Sequence, residues 1–282
     1  MKRIAIVIAV IVSLLLCLCS CSKTSKDSTF SIQFIDVGQG DAALVECDGH
    51  YMLIDGGDVL AKDKMYNVLK EQDIKHLDIL VATHLHADHI GGLSKALTYA
   101  SEIDLTISNN DYADTTAFRD FEHELGINGS KITIPAIGTK YKLGSADVEV
   151  IDVSAEENND SVVLLITYGK NKFLFTGDIE EIAQKRIYEK YANDEDKPFK
   201  VDLVKMPHHG SYTNTLYPFL RTFMPDYAVI SVGENNKYGH PDPETMDLLD
   251  SKTWKPQVYR TDLNGDIIVK SNGKELSVET SK

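Results

Sequence analysis

The sequence predicts an α+β domain in which helices pack outside a β-sandwich. Of its 282 residues, 43% are apolar, which is enough for one sizeable core. Short apolar runs rich in Val, Ile and Tyr alternate with helical stretches, and the predicted strands outnumber the helices. Turn signals at Asp48-Gly49 and Asn171 favour hairpins between neighbouring strands. This mixture fits a sandwich better than a doubly wound parallel sheet.

The individual elements follow from their apolar patterns. The predicted strands are Ser31–Val37, Ala42–Cys47, Tyr51–Ile54, Leu77–Ala82, Asp104–Ser108, Val148–Val153, Val162–Tyr168, Lys172–Phe175, Leu203–Met206, Tyr227–Val232, Gln257–Arg260 and Ile267–Lys270. The predicted helices are Val59–Glu71, Leu93–Ala100, Thr116–Gly126, Glu180–Tyr191, Thr215–Phe223 and Pro243–Asp250. Cys47 ends an apolar run, and we interpret it as a core residue, neither a nucleophile nor a ligand.

The first 21 residues differ from the rest of the chain. Lys2 and Arg3 precede the apolar run Ile4–Leu18, the pattern of a secretory signal, and the run is short for a membrane span. Leu18–Cys21 resembles a bacterial lipobox, which implies that Cys21 becomes the lipidated first residue of the mature protein. An uncleaved anchor helix is the alternative, and both place the domain on the extracellular face of the membrane. Residues 22–29 are interpreted as a flexible tether.

The formal net charge is −14. Such an acidic surface repels nucleic acid in general. Bound divalent cations would invert the field locally, so a phosphodiester substrate is not excluded. We therefore expect no tight, non-specific binding of DNA.

The densest chemical signal is the segment Thr83–Gly92, which directly follows an apolar strand. It contains His84, His86, Asp88 and His89. Imidazole and carboxylate groups suit Zn²⁺, Mn²⁺ or Fe²⁺. His84 and His86 could point the same way from an extended turn, leaving Asp88 and His89 to face a second metal.

This His-x-His-x-Asp-His pattern is the signature of the metallo-β-lactamase superfamily. The resemblance implies a four-layered αββα sandwich with a two-metal site at its edge. It also implies a bridging carboxylate after a later strand, and Asp178 matches it at the end of Phe173–Asp178.

Further segments narrow the resemblance. The chain resembles the hydrolase domain of ComEC-type competence DNA-uptake proteins and their free-standing secreted relatives over about Phe30 to Val278. The matching segments are Phe34–Ala42, Ile54–Gly57, Asn158–Leu164, Pro207–Ser211, Tyr238–Pro241 and Tyr259–Asp262. We therefore assign residues 30–282 to a metallo-β-lactamase-like hydrolase domain. We expect no channel here, so a role in DNA import does not carry over.

Two acidic segments have open interpretations. Gly38–Asp41 could allow a tight backbone approach to the site, or form a plain β-turn. Asp55 ends a strand and could orient a metal-bound imidazole, or cap a turn.

The segment Asn158–Ser161 departs from the superfamily, many members of which have a histidine there as the third ligand of the first metal. Asn159 or Asp160 could replace it, or the first metal keeps only two imidazoles and the bridge. A site poorer in nitrogen favours Mn²⁺ or mixed occupancy over tight di-zinc binding. The predicted cofactors are two divalent ions, Zn or Mn.

Histidines near the end of the chain complete the predicted site. We favour His209 over His208 as a ligand of the second metal, because Gly210 beside it allows close approach. Ser211 could bind substrate or cap a helix. His240 could be a ligand, a substrate-binding donor or a buried structural residue.

The expected activity is hydrolysis of a phosphodiester by a metal-bound hydroxide. Asp88 would hold metal and orient the nucleophile, and His208 or His240 would protonate the leaving oxygen. The resemblance implies a nuclease acting on extracellular DNA. Alternatives are an esterase for a cell-wall phosphodiester, such as phosphocholine on teichoic acid, and a metal-binding surface protein without catalysis. β-Lactam hydrolysis is not favoured, and no protein partner is predicted.

Overall fold

A computed structural model describes residues 29–153, 160–192, 199–212, 217–251 and 254–282. The predicted signal peptide (1–21) with its Cys21, nearly all of the tether and Asn159 lie outside the described residues. Within these ranges, no helix combines the length and the apolar character needed to cross a membrane.

The strands form two sheets. They are β1 (Phe30–Phe34), β2 (Ala43–Cys47), β3 (His50–Ile54), β4 (His76–Ala82), β5 (Glu102–Ser108), β6 (Ile132–Thr133), β7 (Lys140–Leu143), β8 (Ala146–Asp152), β9 (Val163–Tyr168), β10 (Asn171–Phe175), β11 (Leu203–Lys205), β12 (Tyr227–Ile230), β13 (Gln257–Arg260), β14 (Ile267–Ser271) and β15 (Leu276–Thr280). The first sheet has the order β15-β14-β1-β2-β3-β4-β5-β6, and the second the order β13-β12-β11-β10-β9-β8-β7.

The helices lie on the outer faces of these sheets. They are α1 (Lys62–Glu71), α2 (Ala87–Ile90), α3 (Leu93–Ala96), α4 (Thr116–Ile127), α5 (Glu181–Tyr191), α6 (Tyr217–Phe223), α7 (Pro243–Leu249) and α8 (Thr261–Asn264), with 3₁₀ turns at Val59–Ala61 and Pro207–Gly210. Buried apolar residues of α1 to α4 pack on the first sheet, and those of α5 to α7 on the second.

A third apolar core fills the space between the sheets. Alternate residues of β1 point into it, as the period of a strand requires. There Phe30 stacks on Phe173 with ring centroids 4.9 Å apart, and Phe34 stacks on Phe175 at 5.6 Å. Helices therefore cover both outer faces of a sheet pair, which confirms the predicted αββα sandwich.

Both predicted hairpins are confirmed. Asp48 and Gly49 join β2 to β3 with φ of +57° and +84°, the conformation that a two-residue type I′ turn requires. Asn171 begins β10, and Gly169 takes the left-handed conformation in the turn before it, at φ +58°. Cys47 is fully buried between the sheets, with its thiol free.

Parallel strands position the candidate metal ligands. β3, β4 and β5 run parallel in the first sheet, and β10, β11, β12 and β13 run parallel in the second. The carboxyl ends of parallel strands share one edge, where ligands bind in open α/β sheets. The histidine motif follows β4, Asp178 follows β10 and His209 follows β11, so one edge of the sandwich gathers them.

Candidate metal centre

Four side chains from distant parts of the chain meet at this edge. Asp88, His89, Asp178 and His209 each offer one ligand atom, and these atoms all lie within 4.8 Å of one another. The Nε2 atom of His89 is 3.2 Å from Asp178 Oδ2, and His209 Nε2 is 3.4 Å from both Asp88 Oδ2 and Asp178 Oδ2. We call these four residues the quartet.

His84 and His86 lie beside the quartet. The ring of His84 is 4.1 Å from that of His89 and 4.6 Å from that of His86, measured between centroids. Ser161 Oγ lies 3.3 Å from His84 Nδ1 and accepts a hydrogen bond from the backbone N–H of Asp178 at 3.0 Å. Ser161 thus ties the histidine motif to the strand that carries Asp178.

Asp55 forms hydrogen bonds with the start of the histidine motif. It follows β3 with φ of +59° and accepts hydrogen bonds of 2.7 Å from the backbone N–H and the hydroxyl of Thr83. Its Oδ2 is 2.9 Å from His89 Nδ1. A carboxylate on Nδ1 fixes the tautomer and leaves Nε2 for a metal, so the position suits the orienting role rather than a simple turn cap.

Of the two adjacent histidines, His209 is the one in the quartet. Both have positive φ, +46° for His208 and +54° for His209, so the chain turns sharply and separates the two rings. His209 Nδ1 lies 3.0 Å from the carbonyl oxygen of Ser231, to which it can donate. This bond turns Nε2 towards Asp88 and Asp178.

The sequence reasoning missed a buried ion pair behind the quartet. Lys205 forms a salt bridge with Asp41, and its Nζ is 4.0 Å from Asp178 Oδ1. Asp41 Oδ1 also lies 3.2 Å from His209 Nδ1. A lysine inside the apolar strand Leu203–Met206 is the signal that could have revealed it, since lysine is almost never buried without a partner.

The Gly38–Asp41 segment makes the close approach considered above. The backbone N–H of Asp41 donates to the carbonyl oxygen of Asp88 at 3.1 Å. Gly40 has φ of +139°, and a Cβ there would collide with the same carbonyl group. A glycine is therefore required for the loop between β1 and β2 to approach the quartet this closely.

A polar cavity of about 230 Å³ opens over the quartet. The site residues His86, Asp88, Asp178 and His209 form its floor, and Gln39, His208, Tyr238 and His240 complete its wall. His208 Nε2 is 3.8 Å from Asp178 Oδ2, and its ring is 5.8 Å from that of His240. Both histidines proposed to act on the substrate therefore face the same space.

Two further predicted residues lie away from the cavity wall. Ser211 is buried and directly follows the 3₁₀ turn Pro207–Gly210. Its backbone N–H donates to the carbonyl oxygen of His208 at 2.9 Å. Asp160 is buried directly before Ser161. Neither is among the described residues that line the cavity.

The electrostatics divide the imidazoles into two kinds. Burial and the neighbouring ring of His89 lower the pKa of His84 well below its ordinary value. Burial alone would also lower the pKa of His209, but the carboxylates of Asp178 and Asp41 outweigh it and raise that pKa to about 9. His209 sits where negative charge accumulates, the environment that attracts a cation.

The quartet and its neighbours fit divalent cations. The Nε2 atoms of His84, His89 and His209 and Oδ1 of Asp178 are buried, and within the described part of the chain none has a hydrogen bond of normal geometry. Buried polar atoms normally have partners. Imidazole nitrogens and carboxylate oxygens that converge without partners are the donor set of a zinc or manganese site.

Fold and site together define a metal-dependent hydrolase. The model of the metallo-β-lactamase superfamily matches residues 35–234, and the chain belongs to this superfamily. It is 27% identical to ComE operon protein 3 of Bacillus subtilis over 84% of its own length and 32% of that protein's. It is 28% identical to Recombination protein 2 of Haemophilus influenzae over 90% and 30% of the two lengths. The chain thus spans about a third of the length of these curated relatives.

Solved structures show the same fold. Igni18, a metallo hydrolase from Ignicoccus hospitalis, is 18% identical with a TM-score of 0.54, covering 89% of this chain and all of its own (100%). The metallo-β-lactamase fold protein YhfI from Bacillus subtilis is 12% identical with a TM-score of 0.53, covering 82% and 96%.

Proposed function

We propose that the protein is a phosphodiesterase on the outer face of the cell membrane, with DNA as the first substrate to test. The observation that carries the proposal is the quartet of Asp88, His89, Asp178 and His209 beneath an open polar cavity. Two relatives are named Recombination protein 2 and, in Neisseria gonorrhoeae, Competence protein ComA, and both names support nucleic acid as the substrate class.

The geometry supports one assignment of the ligands. Asp88, His89, Asp178 and His209 would hold one cation, and His84 and His86 would hold the other with Asp178 as the bridge. Two divalent ions supply a Lewis acid for a phosphoryl oxygen and lower the pKa of a bound water.

The neighbouring residues would either bind the substrate or support the ligands. His208 and His240 share the cavity wall, and we assign to one of them the hydrogen bond to the leaving oxygen. Asp55 and Asp41 hold the imidazoles of His89 and His209 from behind.

The substitution Asp88→Ala tests this assignment. It removes one quartet ligand that faces the cavity, so metal content and turnover of bis-p-nitrophenyl phosphate should both fall, the turnover by at least about 100-fold. Asp247→Ala, on the exposed face of α7, is the matched control and should change neither. A wild-type protein that binds metal but hydrolyses no ester would instead be the metal-binding surface protein.

An esterase for a cell-wall phosphodiester is the second candidate. The exposed ring of Tyr238 at the cavity has the Lys237 ammonium 4.9 Å from its centroid, and a quaternary ammonium group could bind the ring in the same way. Purified protein loaded with Mn²⁺ should degrade plasmid DNA if it is a nuclease. Release of phosphocholine from teichoic acid without DNA cleavage would favour the esterase.

The proposed location depends on Cys21. If this residue is lipidated, Cys21→Ser should shift the protein from the membrane fraction to the medium, because a lipid anchor depends on its acyl chains. Immunoblots of both fractions measure the shift, with Ser22→Ala as the control. A Cys21→Ser protein that stays membrane-bound would favour the uncleaved anchor helix.

A further inference from the structure

Gln39 lines the cavity and has an unused hydrogen-bond donor. Its Oε1 accepts a hydrogen bond from the backbone N–H of Gly233, in the loop after β12, at 3.2 Å. A primary amide has an acceptor oxygen and a donor NH₂ group, so this bond fixes which end of the side chain is which. Nε2 is buried, and no acceptor in the described ranges of the chain lies within hydrogen-bond reach of it.

His240, in the same cavity wall as Gln39, is also held in place and also has an unpaired polar atom. The backbone N–H of His240 donates to Asn236 Oδ1 at 3.1 Å, and its carbonyl oxygen accepts from Asn236 Nδ2 at 2.7 Å. Tyr238 stacks on the His240 ring, with centroids 5.7 Å apart and planes at 21°. His240 Nδ1 is buried, and it too has no hydrogen-bond partner among the described residues. Two side chains that line the same small cavity thus each have an unpaired polar atom.

The chemistry of these atoms identifies what they bind. The cavity floor carries the carboxylates of Asp88 and Asp178, which repel a bare anion unless cations are bound. A phosphodiester has two non-bridging oxygens, and both accept hydrogen bonds. Cations held by the quartet would stabilise the negative charge on one of these oxygens. A neutral amide donor suits the other oxygen, because it donates a directional hydrogen bond without adding a charge.

We propose that Gln39 is a substrate-binding residue whose Nε2 donates to a non-bridging oxygen of the bound phosphodiester. The inference rests on the proposed function. The Gly38–Asp41 loop would then have two roles. Its backbone contacts Asp88, and its glutamine side chain binds the phosphoryl group.

The substitution Gln39→Glu separates the donor from the loop contact. Glutamate has nearly the same shape and keeps an oxygen for the Gly233 N–H, but it replaces the NH₂ group with a second acceptor and adds a negative charge, and both changes disfavour a phosphoryl oxygen at this position. Gln39→Ala removes both interactions. Gln257→Ala, at an exposed glutamine on β13, is the matched control.

The measurement is the dissociation constant of inorganic phosphate for the Mn²⁺-loaded protein, by isothermal titration calorimetry. Both Gln39 variants should bind phosphate at least about 10-fold more weakly than wild type, with metal content and melting temperature unchanged. With bis-p-nitrophenyl phosphate, the loss should fall mainly on KM. Gln257→Ala should match wild type in every assay.

Each contrary result has one meaning. If Gln39→Glu binds phosphate as tightly as wild type while Gln39→Ala does not, the side chain only holds Gly233 and the inference is overturned. Equal binding by both variants overturns it as well. If the loaded wild type binds phosphate but cleaves no phosphodiester, the proposed function fails, and the phosphate titration still decides the role of Gln39.

Discussion

Asp55 shows how a residue that does not line the cavity can control the centre. Its two carboxylate oxygens accept hydrogen bonds from the backbone N–H and the hydroxyl of Thr83, and one of them lies within hydrogen-bond distance of His89 Nδ1. It therefore holds both the start of the histidine motif and the orientation of one quartet ring.

We expect Asp55→Asn to weaken metal binding by about 10- to 100-fold, because the ring of His89 loses the carboxylate that fixes its tautomer. Competition with a chromogenic chelator measures the affinity. Asp63→Asn, on the exposed start of α1, should leave it unchanged. An unaltered affinity in Asp55→Asn would show that the carboxylate only caps the turn.

The Lys205–Asp41 pair yields a second prediction at this scale. Replacing Lys205 with Met leaves the buried Asp41 carboxylate without its cation, so the free energy of unfolding should fall by about 3–5 kcal/mol. The double variant Asp41→Asn, Lys205→Met should lose less than the sum of the single variants, because no unpaired charge is left. Urea unfolding of the four proteins measures this, and strict additivity would mean that the two residues do not interact.

The sequence predicts most residues of the centre. His84, His86, Asp88 and His89 are adjacent, and Asp178 and His209 each follow an apolar strand, so a pattern could find them. Asp41 and Gln39 could not be assigned roles, because their partners, Lys205 and Gly233, lie far along the chain. Only the folded backbone brings such pairs together.

At the scale of elements, the histidine motif and the loop after β3 make a close backbone contact. Gly92 N–H donates to Gly57 O at 3.0 Å, and Gly56 N–H donates to His89 O at 2.6 Å. A Cβ on Gly92 would collide with the backbone of Gly56. Gly126, within α4, instead has open space where a Cβ would lie.

The two glycines should respond in opposite directions. Gly92→Ala should lower the free energy of unfolding by about 1–3 kcal/mol, because the backbone must move to admit the methyl group. Gly126→Ala should raise it by about 0.5–1 kcal/mol, because alanine loses less conformational entropy in a helix. Urea denaturation curves measure both, and a neutral Gly92→Ala would show that this contact is loose.

The strands that the sequence does not predict are those with little apolar surface. β7 (Lys140–Leu143) and β15 (Leu276–Thr280) lie at sheet edges, and β15 has no fully buried residue. β6 has only two residues. Because hydrophobic periodicity is the signal for a strand, a polar edge strand gives too weak a pattern, and only its pairing partner specifies it.

At the scale of the whole molecule, the centre joins the two sheets. His89 follows a strand of the first sheet, and Asp178 and His209 follow strands of the second. A cation bound by all three contributes stability only while the two sheets are packed together.

Removing metal should therefore lower the melting temperature of the entire domain in one transition. At free metal about 100 times the dissociation constant, the linkage is about 2.7 kcal/mol, which corresponds to roughly 5–10 °C. Differential scanning calorimetry with and without EDTA measures the shift. Asp88→Ala should show a smaller one, and an unchanged wild-type melting temperature would contradict a shared cation.

The order of the first sheet also constrains when the molecule can finish folding. β1 pairs with β14 along its whole length, Phe30 opposite Ser271 and Phe34 opposite Ile267. A ribosome makes β1 long before it makes β14, because most of the domain lies between the two strands. Until β14 emerges, one side of β1 has no partner, so a nascent chain, or one truncated before β14, carries an open sheet edge that invites aggregation.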